Sequence, residues 1–188
     1  MNQPENKQQS EAAKGRFRSD LFDWAEALMI SLTMVILIFV FCVRLIGVQG
    51  SSMVPTLEDG DQLLVSDIYG ELEYGDIVVL TKEQFLDVPI VKRVIATEGD
   101  VVDIDFEQGT VSVNGEVLDE PYTAEPTYYQ GDMKFPQTVP ENCIFVLGDN
   151  RNASSDSRVA ALGMVDTRHV IGKVILRIFP FNQIGTVS

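Results

Sequence analysis

One uncharged stretch near the N-terminus constrains the fold of this chain more than any other feature. Ala27–Val43 reads ALMISLTMVILIFVFCV, a run of 17 residues without a charged side chain. Extension to Val48 gives about the 20 residues that a helix needs to cross the hydrocarbon core of a bilayer. The run has no polar stripe, which argues against an amphipathic helix lying on a surface.

Three interpretations of this stretch compete. A buried core helix usually has a shorter apolar run, of about 10–14 residues. A cleaved signal peptide has an apolar region of roughly 7–15 residues followed by small residues, whereas Arg44, Leu45 and Ile46 follow here. The length therefore predicts a retained transmembrane helix over residues 24–48, preceded by a polar tail over residues 1–23.

The basic residues around the stretch predict its orientation. Lys14, Arg16 and Arg18 precede it, whereas Arg44 alone follows it closely and the next basic residue is Lys82. Because cytoplasmic flanks carry the excess of Lys and Arg, the tail is predicted to be cytoplasmic. Residues 49–188 are then expected on the outer face of the cell membrane, held by a single span in the lipid bilayer.

The charge of the chain is confined to this second part. The 188 residues include 14 basic and 28 acidic ones, for a net charge of −14. Basic and acidic residues balance over residues 1–48, so residues 49–188 carry all of the surplus. An acidic domain lacks the basic patch that binds phosphates, which excludes nucleic acid as a partner.

Residues 49–188 show the pattern of a β domain. Short β-branched and apolar segments alternate with turn residues, and no long amphipathic helix interrupts them. The expected fold is mostly β: a folded antiparallel sheet or barrel-like domain after one N-terminal transmembrane helix. The predicted strands are Gln62–Ser66, Asp76–Thr81, Ile90–Glu98, Val101–Phe106, Thr110–Val113, Cys143–Leu147 and Val170–Phe179.

The domain has few residues for metal or histidine chemistry. His169 is the only histidine, and Cys143 is the only cysteine outside the uncharged stretch. A zinc site needs clustered ligands, so we expect neither a metal nor another cofactor. A lone histidine beside a strand is typical of a structural or exposed residue, so a Ser-His-Asp triad is not favoured.

A Ser-Lys pair remains open. A serine hydroxyl needs an adjacent base, and lysine acts as one only when apolar burial lowers its pKa. Lys92 fits best, because the strand period places Ile90 and Val94 on its face. The alternative is that Lys92 is an edge charge that limits sheet aggregation.

The serine candidate is Ser52, in QGSSMVPTL, a few residues after the uncharged stretch. A plain turn is the alternative for that segment. A polar loop, GDNRNASSDSR, follows the apolar Cys143–Leu147 segment, and a solvated turn is the alternative there.

Together these segments resemble the bacterial type I signal peptidases. The shared motifs occur in order behind the predicted anchor and cover most of residues 24–158. They are SMVPTL (Ser52–Leu57), GDIV (Gly75–Val78), KRV (Lys92–Val94) followed by Gly99–Asp100, GDNR (Gly148–Arg151) and SSDSR (Ser154–Arg158). The short span between the Lys92 and Gly148 motifs resembles the compact Gram-positive-type members.

The resemblance implies a Ser-Lys serine endopeptidase that removes signal peptides from secreted preproteins after small residues at positions −1 and −3. Ser52 would be the nucleophile and Lys92 the general base, with Ser154 hydrogen-bonded to Lys92. Asp156 and Arg158 would form an ion pair that braces their loop. The Ser52 N–H would donate to the oxyanion, and Gly50 stands where some members carry a second, serine donor.

The substrate is expected to pair with strand edges near Val48–Gly50 and Pro89–Val91 and to place small side chains in apolar pockets. The residues expected to bind it are Val48, Gln49, Met53, Leu57 and Ile90.

Two other functions stay open. A self-cleaving repressor also uses Ser and Lys, but it carries a DNA-binding helix-turn-helix and no membrane span. A catalytically silent, anchored β domain would bind exported chains, although it would not need Ser52 and Lys92.

Overall fold

The computed structural model describes residues 21–37, 40, 42–82 and 86–187. The chain divides into two units, Met1–Cys42 and Val43–Ser188. Most of the predicted tail, over residues 1–20, lies outside the described residues.

In the first unit, residues 21–37 form an α-helix, α1. The Ser31 and Thr33 hydroxyls each donate to the carbonyl four residues earlier, which satisfies these polar side chains within the helix. Ile38, Phe39 and Phe41, within the predicted span, lie outside the described residues. No helix among the residues described is both long and apolar enough to cross a membrane. The predicted transmembrane span is therefore not confirmed.

The structure corrects the C-terminal end of the predicted helix. Val43–Gly47 form a strand, β1, that pairs antiparallel with β2 (Gln62–Ser66). The prediction that the helix continues to Val48 is therefore wrong. An edge strand and a helix end can share the same short apolar pattern, and the pairing with β2 decides between them.

A seven-stranded antiparallel sheet dominates the second unit. Its strands lie in the order β1-β2-β11-β3-β4-β9-β10. Beyond β1 and β2 they span Ile77–Lys82 (β3), Leu86–Ala96 (β4), Cys143–Leu147 (β9), Val165–Asp166 (β10) and Val170–Phe179 (β11). Pairing of β4 with β9 begins at Arg93 opposite Leu147, so the earlier part of β4 pairs only with β3 among the described strands.

A four-stranded antiparallel sheet completes this unit, in the order β7-β6-β5-β8. Its strands span Val101–Asp105 (β5), Thr110–Val113 (β6), Glu116–Val117 (β7) and Gln137–Thr138 (β8). Asn114 and Gly115 connect β6 to β7 with positive φ angles of 55° and 85°, as a tight hairpin turn of the Asn-Gly type requires. The mostly β, antiparallel fold predicted from the sequence is confirmed.

Three buried apolar clusters hold the sheets together. The first joins β2 and β3 to the segment after β1, through residues that include Val48, Met53 and Leu57. The second joins β3, β4 and β9, and Ile90 packs against it. The third lies between β9 and the smaller sheet. Along β4, Lys92 lies between Val91, which belongs to the first cluster, and Val94, which belongs to the second.

Candidate active site

Ser52 and Lys92 meet although 40 residues separate them in the chain. Lys92 Nζ donates to Ser52 Oγ at 2.7 Å and to the Val91 carbonyl at 2.9 Å. The Lys92 side chain comes from the part of β4 just before its pairing with β9 begins, opposite Val78 on β3. Lys92 is only 2 % exposed, so this contact lies in a largely dry environment.

Burial changes the proton affinity of Lys92. Loss of solvation lowers its pKa from 10.5 to about 8. The carboxylates of Asp156 and Asp149 oppose this change, and the Arg158 guanidinium adds to it. A lysine with a pKa of about 8 is partly neutral near physiological pH and can accept a proton from a neighbouring hydroxyl.

Ser52 belongs to a closed loop over residues 48–61, here called the Ser52 loop. Val48 N–H donates to the Asp61 carbonyl at 2.8 Å, and Gly60 N–H donates back to the Val48 carbonyl at 3.0 Å. Within the loop, Gly50 N–H donates to Asp59 Oδ1 at 2.7 Å. Gly50 has a φ of +83°, a left-handed conformation that glycine adopts without the steric cost of a Cβ.

A second loop, over residues 148–158 and here called the Gly148 loop, holds the backbone of Ser52 in place. Asn150 N–H donates to the Ser52 carbonyl at 3.0 Å, and Asn150 Nδ2 donates to the Ser51 carbonyl at 3.1 Å. A Cβ at Gly148 would clash with Ser154 Oγ and with the Ser52 carbonyl. Glycine at position 148 therefore allows the two loops to approach closely.

The ion pair expected between Asp156 and Arg158 is formed and completely buried. Arg158 Nε and Nη2 each donate to one Asp156 carboxylate oxygen at 2.8 Å. Asp156 Oδ2 also accepts from Gly148 N–H at 3.1 Å, and Arg158 Nη2 donates to the Arg151 carbonyl at 2.6 Å. The pair thus ties both ends of the Gly148 loop to its middle.

The expected hydrogen bond between Ser154 and Lys92 is not formed. Ser154 is 5 % exposed, and its Oγ has no hydrogen-bond partner within the described part of the chain. Lys92 Nζ instead contacts Ser52 Oγ and the Val91 carbonyl. Ser154 therefore places an unpaired hydroxyl beside Gly148, inside the loop that contacts Ser52.

Comparison with known proteins identifies the family. The family described as "Signal peptidase, peptidase S26" matches residues 21–179. Signal peptidase I of Bacillus licheniformis is 37 % identical over 178 residues, covering 89 % of this chain and 93 % of that protein. Signal peptidase I S of Bacillus subtilis is 34 % identical over 177 residues. Signal peptidase IB of Staphylococcus aureus is 32 % identical over 184 residues. Each of these two alignments covers 88 % of this chain and 93 % of the relative. The chain belongs to the signal peptidase family.

In this signal peptidase family member, a buried network that the sequence analysis did not identify joins the Ser52 loop, β4 and the Gly148 loop. Arg93 Nε and Nη2 donate to the two Asp149 carboxylate oxygens at 2.9 and 2.7 Å, and both side chains are 1 % exposed. Thr56 Oγ1 donates to Asp149 Oδ2 from the Ser52 loop. Arg93 also lies over the Tyr122 ring, 3.9 Å from its centroid, in a cation–π contact.

A sequence signal existed for part of this network. Arg93 adjoins Lys92, and Asp149 and Thr56 lie within the motifs that carry the family resemblance. Neighbouring residues of a strand point to opposite faces, so the strand period places Arg93 on the face away from Lys92. The pattern therefore gave no reason to include Arg93 in the Lys92 site. Nothing in the spacing indicated that Tyr122 would cover the Arg93 guanidinium.

The expected substrate-binding residues fall into three environments. Val48, Met53 and Leu57 are at most 4 % exposed and belong to one apolar cluster with Val91. Ile90 is half-buried and packs against the other cluster. Gln49 is exposed. The structure therefore brings the first three together and places Ile90 apart from them, and their role in substrate binding stays a prediction.

The other polar features of the domain lie apart from this arrangement. Within the described ranges, no group of three or more His, Cys, Asp or Glu side chains is arranged to hold a metal ion. A cavity of about 690 Å³ is lined by Tyr69, Glu98 and Arg168 among others, and neither Ser52 nor Lys92 lines it. His169 is exposed and ends the short 3-10 helix just before β11.

Proposed function

We propose that this protein is a membrane-bound serine endopeptidase that removes N-terminal signal peptides from exported preproteins. The proposal places the nucleophile at Ser52 and the general base at Lys92. Its main support is the 2.7 Å contact between Ser52 Oγ and the buried Lys92 Nζ. Membership of the signal peptidase family supports the same substrate class.

The proposed chemistry begins with the transfer of a proton from Ser52 Oγ to Lys92 Nζ. Neutral Lys92 accepts the Ser52 hydroxyl proton as Oγ attacks the scissile carbonyl carbon, which gives a tetrahedral oxyanion. The protonated lysine then donates to the leaving amine, and an ester links the signal peptide to Ser52. Lys92 next removes a proton from water, which hydrolyses that ester and restores the serine.

The Ser52 backbone is suited to stabilise the oxyanion. Within the part of the chain that the structure describes, no acceptor binds the Ser52 N–H, which leaves it available to the substrate. The Gly50 N–H is already bound to Asp59 and does not serve this role. Removal of one oxyanion donor typically costs about 2.7–4 kcal/mol in the transition state, so this N–H is a substantial contribution.

Substrate binding uses the unpaired edge of β4. Before Arg93, β4 has no second partner among the described strands, so an extended peptide could add there by backbone hydrogen bonds. We propose that Val48, Gln49, Met53, Leu57 and Ile90 contact or support the residues at −1 and −3. Buried aliphatic side chains leave little free volume, which favours alanine-sized residues at those two positions.

The proposed location is the outer face of the cell membrane, with a single N-terminal span and a cytoplasmic tail. The uncharged Ala27–Val43 stretch and the basic residues before it support this location. Ser52 follows the stretch by only a few residues along the chain. An anchored enzyme and the apolar segment of its substrate would share one bilayer, which raises their effective concentration.

Purified full-length chain in detergent tests the proposal. It should cut a preprotein once, and mass spectrometry of the mature product should place small residues at −1 and −3 of the precursor. Replacement of the −1 alanine of the preprotein by leucine should prevent the cut, whereas the same change at −2 should not. Binding of the preprotein without any cut would favour the catalytically silent alternative.

A further inference from the structure

One arginine outside all of the shared motifs contacts the Ser52 loop from the far end of the chain. Arg177, on β11, donates from Nη1 to the Thr56 carbonyl and to Asp61 Oδ2, each at 3.1 Å. Its Nε donates to the Gln183 carbonyl at 3.0 Å. The Arg177 side chain is 18 % exposed and that of Asp61 is 5 % exposed, so the ion pair is largely shielded from water.

Both partners of Arg177 are structural points of the Ser52 loop. The Asp61 carbonyl accepts the Val48 N–H that closes the loop, and Asp61 Oδ2 also accepts from Glu58 N–H at 3.1 Å. Thr56 is held on two sides, because its carbonyl binds Arg177 while its hydroxyl binds Asp149. Asp149 in turn is paired with Arg93, the neighbour of Lys92.

The pairing of β11 with β2 is irregular at Arg177. The register with β2 shifts between Arg177 and Phe179, and such irregularities re-aim side chains next to functional sites. Arg177 N–H and C=O both pair with Gly185, at 2.9 and 3.1 Å, which fixes the strand at this residue. The backbone of Arg177 is therefore held in place independently of the contacts that its side chain makes with the Ser52 loop.

We infer that Arg177 is a positioning residue for the reaction proposed above: it fixes the Ser52 loop so that Ser52 Oγ stays within reach of Lys92 Nζ. The inference rests on the proposed function. Two arginines thus hold the loop: Arg93 through Asp149, which binds the Thr56 hydroxyl, and Arg177 through direct contacts with Thr56 and Asp61. A displacement of about 1 Å at a reacting atom can cost on the order of 100-fold in rate, so loss of one of these contacts affects turnover.

The test compares Arg177→Met with Arg177→Lys and a control on the same strand, Lys173→Met. The control breaks the ion pair of Lys173 with Asp76, which has a 2.7 Å N–O distance and lies outside the contacts described for the Ser52 loop. Steady-state kcat and KM for preprotein cleavage are measured at a temperature where circular dichroism shows every variant folded.

Arg177→Met should lower kcat at least tenfold, because Ser52 Oγ is displaced from Lys92 Nζ. KM should rise by a smaller factor than kcat falls, because the binding edge of β4 is intact while the displaced loop also carries proposed substrate contacts. Arg177→Lys should have a kcat between those of Arg177→Met and the wild type and at least twofold below the wild type, since an ammonium can still bind the Asp61 carboxylate but does not replace the Nε contact with the Gln183 carbonyl. Lys173→Met should keep kcat within twofold of the wild type.

Three results would overturn the inference. The first is a kcat for folded Arg177→Met within twofold of wild type, and the second is an equal loss in Lys173→Met. If Arg177→Met does not fold, Arg177→Lys decides, and a kcat for Arg177→Lys equal to wild type rejects the inference. A wild-type chain that does not cleave the preprotein rejects the proposed function and this inference with it, whereas an active wild type with either of the first two results rejects the inference alone.

Discussion

The pH dependence of cleavage follows directly from the burial of Lys92. A general base must be neutral to accept the Ser52 proton, so the rate should rise with pH through the pKa of Lys92. Burial lowers that pKa to about 8. The neutral fraction is then about 9 % at pH 7, half at pH 8 and about 90 % at pH 9, so kcat/KM should rise about tenfold over this range.

The assay is the initial rate of preprotein cleavage by the full-length chain from pH 6 to 10, at substrate concentrations well below KM. Asp156→Asn should move the rising limb to lower pH, because the Asp156 carboxylate raises the pKa of Lys92 and the remaining Arg158 charge lowers it. Asp166→Asn is the control, since it neutralises a carboxylate whose partner is the exposed Arg168. A rate that is flat or falls between pH 7 and 9 would refute the reasoning, as would an upward shift in Asp156→Asn.

Three further predictions concern stability and packing. Lys92→Met should abolish cleavage yet raise the free energy of unfolding by roughly 3 kcal/mol at pH 7, and the gain should fade as pH rises from 8 to 10.5, because the folded lysine binds its proton more weakly than the unfolded one. Arg93→Met should lower the free energy of unfolding by about 3–5 kcal/mol in denaturant titrations, because it leaves a buried carboxylate unpaired. Gly148→Ala should lower kcat by about 100-fold, since the added Cβ would clash with the Ser52 carbonyl in the Ser52 loop and with Ser154. Gly70→Ala is the control and should leave kcat unchanged, because the space around Gly70 is open.

The strands were predictable where the pattern was local. Gln62–Ser66, Thr110–Val113, Cys143–Leu147 and Val170–Phe179 occur with the predicted bounds, because turn residues border each apolar run. β1 was not predictable, since its apolar residues continue the uncharged stretch without a break. The two-residue strands, such as β10, are too short to show a period.

The Ser52–Lys92 contact was expected from the family resemblance, and the sequence pattern alone left it open against a turn and an edge charge. Arg177 carried no local signal, because its contacts with Thr56 and Asp61 join residues more than 100 positions apart. The hydrogen bond expected between Ser154 and Lys92 is not formed. A motif can place a residue in the right loop without fixing its hydrogen-bond partner.

The central claim is that Ser52 is the nucleophile, and its neighbour provides a matched control. Preprotein cleavage should be compared for Ser52→Ala and Ser51→Ala, two changes that each remove one hydroxyl from adjacent residues of the same loop. We expect Ser52→Ala to reduce cleavage by at least about 10⁴-fold and Ser51→Ala to stay within a few-fold of wild type. Substantial cleavage by folded Ser52→Ala would contradict the claim.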